Sequence, residues 1–212
     1  LASGCRETVS MTSELSLNVS RETFDNLSIF VALVQKWTAK INLISKSSID
    51  HIWERHISDS AQLFDLAPKA GKWVDLGSGG GFPGIVVAIL SKGVGSDHQF
   101  TLVESDQRKA VFLRTAIREL ELDATVISDR IENIAPLGAD ILSARALAEL
   151  GTLVGFADRH LASTGTALFA KGAQWEKEDK SARCMWSYEC EMIKSISHPE
   201  AAILKIKDIS RV

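Results

Sequence analysis

The residues best placed to do chemistry in this 212-residue chain form one run, VDLGSGGGFPG, from Val74 to Gly84. Five glycines fall within eight positions, behind a carboxylate and around a proline. Glycine lets the backbone come close to a ligand and adopt positive φ, and a merely tight turn needs only one or two. A short apolar run, KWVDLG, precedes the glycines. A helix-like run, PGIVVAILSK, follows, with Pro83 in its first turn where a missing N–H does little harm. Open α/β sheets bind ligands at such strand-to-helix turns, where the helix N-terminus adds free N–H groups. The loop is therefore read as a cofactor site.

Two cofactors compete for it. Gly79, Gly81 and Gly84 match G-x-G-x-x-G, the dinucleotide fingerprint, and would suit an NAD(P)-dependent oxidoreductase. A phosphate-binding P-loop is excluded because no Gly-Lys-Ser/Thr follows. Asp75, two positions before Gly77-x-Gly79, better suits a ligand with a positive centre. S-adenosylmethionine (SAM) carries a sulfonium and an ammonium and no phosphate. Further on, Glu104 closes the strand-like FTLVES, where a carboxylate can accept both ribose hydroxyls of either cofactor; capping the next helix is its plainer use. In SDRIEN, Asp129 or Glu132 can reach an adenine amino group while Ile131 packs on the ring.

The elements that position these residues follow from periodicity. Phe24, Leu27, Phe30, Val31 and Val34 recur at helical spacing after Ser20, and a second helix is expected over 48–66, ending before Pro68. From residue 71 the pattern becomes strand–helix alternation. Strands are expected at KWVDLG, FTLVES, ATVIS, ADILSAR and GTALFAKG, and an antiparallel pair at SYECEMIKSISH and AAILKIKDI. That order predicts a Rossmann-like α/β fold with a mostly parallel sheet and an antiparallel C-terminal strand. The expected organisation is a loose tail over 1–20, a helical cap over 21–70 and the cofactor-binding domain over 71–212. Met11 is a candidate natural start.

Composition narrows the class. The formal net charge is −3, so nucleic acid would have to be met by a local basic patch. Cys5, Cys184 and Cys190 are odd in number and not spaced for a disulfide framework or a zinc site. With no membrane-length apolar run and no secretory-type leader, a cytoplasmic protein is expected, with no membrane partner.

Missing motifs speak to the acceptor if the reaction is methyl transfer. The Asn/Asp-Pro-Pro-aromatic motif of amino-group methylases is replaced by Ser143-Ala144-Arg145-Ala146. The late cysteines are not placed as pyrimidine-attacking nucleophiles. An acceptor needing no activation, such as guanine N7, is compatible with this, as are other unactivated acceptors.

A longer series of segments then becomes legible. WTAKINLISKSSIDHIWERHISDSAQL closely resembles the W-x-x-x-x-N-L-(T/S) and R-H-x-x-D-S segments of the bacterial 16S rRNA guanine-N7 methyltransferases, the glucose-inhibited division protein B family. The resemblance continues through VDLGSGGGFPGIVVAI, LVESDQRKAVFLR, SDRIE, SARAL and LFAKG, in order, from about Trp37 to Gly172. It implies a class I SAM-dependent methyltransferase fold, SAM as cofactor, and a guanine in small-subunit rRNA as substrate. Gly77 and Phe82 would line the SAM site, Glu104 would hold the ribose, and Ile131 and Glu132 would contact the adenine end. Arg145 would meet the cofactor or the incoming guanine, with no general base. Ala144 and Leu147 stand where the family usually has serine and phenylalanine, and Gly80 where it often has proline. Arg55, His56 and Asp59, on adjacent faces of one helix, are expected to link cap and catalytic domain, with His56 structural. Lys36, Lys40, Lys46, Arg55 and Lys171 are the expected RNA contacts; a monomer without a DNA partner is expected. The rival readings are the NAD(P) oxidoreductase and a non-catalytic rRNA-binding assembly factor.

Overall fold

The computed structural model describes residues 17–212, so the readings of Met11 and Cys5 lie outside the described residues. Seven strands form one sheet: β1 (Gly71–Leu76), β2 (His98–Val103), β3 (Ala124–Ile127), β4 (Ala139–Arg145), β5 (Leu161–Lys171), β6 (Trp186–Lys194) and β7 (Ala202–Arg211). Their order is β3-β2-β1-β4-β5-β7-β6. The first five run parallel, and β7 pairs antiparallel with both β5 and β6. Strand order reverses between β1 and β4, which makes the carboxyl ends of these two strands the place for a ligand crevice.

The helices divide between the faces as that reversal requires. On one face lie α1 (Arg21–Thr38), α2 (Ser58–Leu66), α3 (Gly84–Val94) and α4 (Gln107–Glu119). Packed on the other are α5 (Leu150–His160) and α6 (Trp175–Ala182). Ser20 caps α1 by accepting from Thr23 N at 3.2 Å. Leu27, Phe30 and Val34 of α1 are fully buried, in one core with Ile85 of α3 and Phe112 of α4. Leu17 and Val19, expected in a loose tail, pack against that core. Every residue of α3 from Gly84 to Ser91 is buried, as befits a helix that is apolar all round and sandwiched between sheet and outer helices.

The expected single helix over 48–66 is broken. A 3₁₀ turn at Lys46–Ser48 leads into a π-helical turn, Trp53–Ile57, before α2 begins. Hydroxyls compete for the carbonyls there: Ser58 Oγ donates to Trp53 O at 2.9 Å and Ser60 Oγ to His56 O at 2.6 Å. Such back-bonding loosens the regular helical ladder.

Candidate active site

Two clefts open side by side at the carboxyl ends of β1 and β4. The first, about 370 Å³, is lined by Gly77, Gly79, Glu104, Ile131, Glu132 and Leu147 among others. The second, about 430 Å³, is lined by Arg55, His56, Asp59, Arg145, Lys171 and the turn after β6. Ala146, in the left-handed region at φ 50°, borders both.

The first cleft is built on the glycine loop. Gly79 has φ 50°, and its N–H donates to Glu104 Oε2 at 2.8 Å. The other carboxylate oxygen accepts from Asp106 N at 2.8 Å. Glu104 is buried, yet each oxygen keeps a second lone pair for hydroxyl donors. The capping role falls to Asp106, whose side chain accepts from Arg108 N and Lys109 N at the start of α4. Ile131 is held from behind by His160 Nε2, which donates to its carbonyl at 3.2 Å. Nothing in the sequence pattern marked His160, a fully buried residue at the end of α5.

Asp75 does not line this cleft. It is buried beneath the loop, where Ser143 Oγ donates to Oδ1 at 2.7 Å and Gly84 N to Oδ2 at 3.2 Å. Trp73 Nε1 donates in turn to Ser143 Oγ at 2.9 Å. A Cβ on Gly84 would stand 2.7 Å from Asp75 Oδ2, so glycine is required there. Asp75 thus fixes the loop rather than facing the ligand. Burial pushes its pKa up to about 6, against hydrogen bonds that lower it. The buried carboxyl is therefore stabilising when protonated, and that contribution is lost as pH rises through about 6. Urea midpoints of the wild type and Asp75→Asn, compared between pH 4 and 7.5, are expected to show the wild type losing ground to the variant as pH rises. A pH-independent difference would refute this.

Phe82 also turns away from the first cleft. Its ring lies 4.8 Å from that of His56 and 5.2 Å from that of Phe30, locking the glycine loop to the helical layer. Arg145 projects into the second cleft. Its Nη2 lies 3.3 Å from Asp59 Oδ2 and donates to Arg55 O at 2.5 Å. The Arg145 and Asp59 side chains are 20% and 15% exposed. Burial lowers the Arg145 pKa, and Asp59 opposes that. Asp59 Oδ1 accepts from Ser195 Oγ and Ser197 Oγ, tying the β6–β7 turn to the same centre. The second-cleft wall thus unites α2, β4 and the C-terminal hairpin. Lys171 is not a free cation: its side chain is 9% exposed, pairs with Glu178 at 2.6 Å and donates to Ala148 O. Lys36, Lys40, Lys46 and Arg55 are exposed. Among the described residues, no group of three or more His, Cys, Asp or Glu could hold a metal.

A sheet of this order, with a glycine loop after β1 and a carboxylate after β2, defines a class I SAM-dependent methyltransferase fold. Solved structures agree. TYW2 of M. jannaschii in complex with AdoMet aligns with a TM-score of 0.58 at 15% identity, covering 82% of this chain and 80% of that one. A TehB-like SAM-dependent methyltransferase from Corynebacterium glutamicum aligns with a TM-score of 0.54 at 16% identity, covering 88% and 97%. Sequence is more specific. The family model described as GidB, rRNA small subunit methyltransferase G, matches residues 23–204. Ribosomal RNA small subunit methyltransferase G of Ruegeria sp. (strain TM1040) is 54% identical, over 93% of this chain and 97% of its own length. That of Ruegeria pomeroyi is 55% identical over the same shares. The chain belongs to the rRNA small subunit methyltransferase G family.

Proposed function

We infer that the protein is a SAM-dependent methyltransferase that methylates N7 of one guanine in 16S rRNA of the small ribosomal subunit. The observation that carries this, beyond family membership, is the meeting of two clefts at Ala146. One has the features a nucleoside needs, and the other has room for a base. Gly77, Gly79, Glu104, Ile131 and Glu132 would hold SAM, with Asp75 fixing the loop from below. The fit rests on a side-chain-free approach at Gly79 and on spare lone pairs of the buried Glu104.

When bound, SAM supplies a methyl group on a sulfonium sulfur. Guanine N7 offers an exposed lone pair and no proton to remove, so the protein has to align rather than deprotonate. Positioning of this kind can supply roughly 7–11 kcal/mol of the barrier. Asp59 pairs with Arg145 and so offsets part of the positive charge lining the second cleft, which eases the arrival of positive charge on the base.

Exposed Lys36, Lys40, Lys46 and Arg55 would meet phosphates, giving salt-dependent binding despite the net negative charge. No helix among the described residues is long and apolar enough to cross a membrane. A cytoplasmic monomer, without DNA or membrane partners, completes the reading. Its test pairs calorimetric titration of S-adenosylhomocysteine and NAD with methylation of unmodified small subunits. Saturable binding of S-adenosylhomocysteine alone and one new N7-methylguanine are expected. NAD binding alone would favour an oxidoreductase, and subunit binding without affinity for either would favour an assembly factor.

A further inference from the structure

Three polar atoms at the wall of the second cleft are buried and have no hydrogen-bond partner among the described residues: both ring nitrogens of His56 and Nη1 of Arg145. A buried polar atom left unpaired is destabilising, so its presence in a cleft wall points to a ligand that pairs with it. The His56 ring is fixed face-on against Phe82, with planes inclined by 28°. Its environment is cationic: Arg55 precedes it in the chain and Arg145 faces it from β4. The Asp59 carboxylate on its own helical segment is engaged by Arg145 and two serines. Lys171 and Glu178, across the cleft, pair with each other, His198 lines the far rim, and the 77–83 loop under the ring carries no titratable group. Burial and the two arginines hold the His56 pKa down at about 4, so near neutral pH the imidazole is uncharged, with one donor and one acceptor nitrogen.

The chemistry of a purine matches this pair of residues. Guanine presents N7 and O6 as acceptors on one edge, and N1–H next to O6 as a donor. Arg145, Ala146 and His56 line one cleft; a guanine with N7 turned to Ala146, where the clefts meet, would bring O6 within reach of Arg145, whose Nη1 can only donate. N1–H then needs an acceptor one atom further along. We propose that His56 is a specificity-determining residue: its neutral ring accepts the N1–H of the target guanine while Arg145 Nη1 donates to O6. Adenine reverses both positions, with an amino donor in place of O6 and a bare acceptor at N1. It would set donor against donor at Arg145 and acceptor against acceptor at the His56 nitrogen that serves guanine N1–H. The inference rests on the methyltransferase reading above and deepens it by naming what recognises the base.

The test compares wild type, His56→Phe and His56→Gln on small subunits carrying either guanine or adenine at the methylated position. Phenylalanine keeps the stack on Phe82 and removes both nitrogens; glutamine restores a carbonyl acceptor. His56→Phe is expected to lose 10-fold to 100-fold in kcat/KM on guanine and much of the preference over adenine, with S-adenosylhomocysteine affinity within twofold of wild type. His56→Gln should recover part of both. The wild-type pH profile should show no acidic limb near 6.5, because protonation that removes the acceptor is deferred to about pH 4. Unchanged rate and unchanged base preference in His56→Phe would overturn the proposal. So would loss of S-adenosylhomocysteine binding in both variants, which would make the ring a support for Phe82 and the glycine loop. Failure of the underlying reading shows separately, in the wild-type arm, as a methyl group placed elsewhere than guanine N7.

Discussion

Glu104→Ala is expected to weaken S-adenosylhomocysteine binding by about 100-fold or more. A hydrogen bond to a charged acceptor contributes about 1.5–3 kcal/mol, and tenfold in affinity is about 1.4 kcal/mol. On the reading in which this buried carboxylate accepts from both ribose hydroxyls, its loss accounts for two orders of magnitude. The alanine variant also strips a partner from Gly79 N and from Asp106 N, so the glycine loop itself loosens. Glu104→Gln keeps the size and one acceptor oxygen but not the charge, and should fall between, at about tenfold. Calorimetric titration measures all three proteins. An alanine variant that binds within twofold of wild type would remove Glu104 from the cofactor site.

Arg145→Ala is expected to reduce methyl transfer by 100-fold or more while leaving S-adenosylhomocysteine affinity nearly intact. The guanidinium lines the second cleft, proposed for the base, and not the first. Its removal leaves Asp59, a mostly buried carboxylate, with only two serine hydroxyls. Breaking a buried pair by deleting one partner costs about 3–5 kcal/mol. The partial exposure of this pair brings the expected loss of stability down to about 1–3 kcal/mol. Arg145→Lys separates the two effects. An ammonium can still face Asp59, so stability should largely return. Its three donors radiate from one point and lack the planar spread of the guanidinium fork, so it cannot span Asp59, the Arg55 carbonyl and the base together, and the rate should stay low. Single-turnover rates and urea midpoints read the two quantities independently; wild-type rates in either variant would confine Arg145 to a structural role.

Much of this was legible in the sequence because the features were periodic or dense. The buried central strand β1, the all-apolar α3 and the five-glycine loop announce themselves by composition, and Glu104 follows by its place after β2. Other features depend on contacts between distant segments. Asp75 reads like a ligand group, but Ser143, 68 positions on, donates to its carboxylate. Lys171 reads like a free surface cation until α6 brings Glu178 to it. α6 itself, WEKEDKSA, is nearly all polar and carries no apolar stripe, so periodicity could not find it. The π-helical turn at Trp53–Ile57 was hidden because its amphipathic spacing is that of an ordinary helix; only the hydroxyls of Ser58 and Ser60 and the guanidinium of Arg145 show where the carbonyls go.

The placement of β7 between β5 and β6 has a consequence for how the chain is made. Translation delivers β6 before β7, yet among the described residues β6 pairs only with β7. During that interval the nascent chain carries an open edge on β5 and a strand with nothing to pair with. Exposed edges of this kind recruit other strands, and domains emerging from the ribosome are vulnerable while such surface is open. Glu189 and Glu191 alternate with Tyr188 and Cys190 along β6, which puts charge on one face of that waiting strand. Variants that replace these charges with apolar residues should aggregate during synthesis, even where the finished sheet would accommodate them.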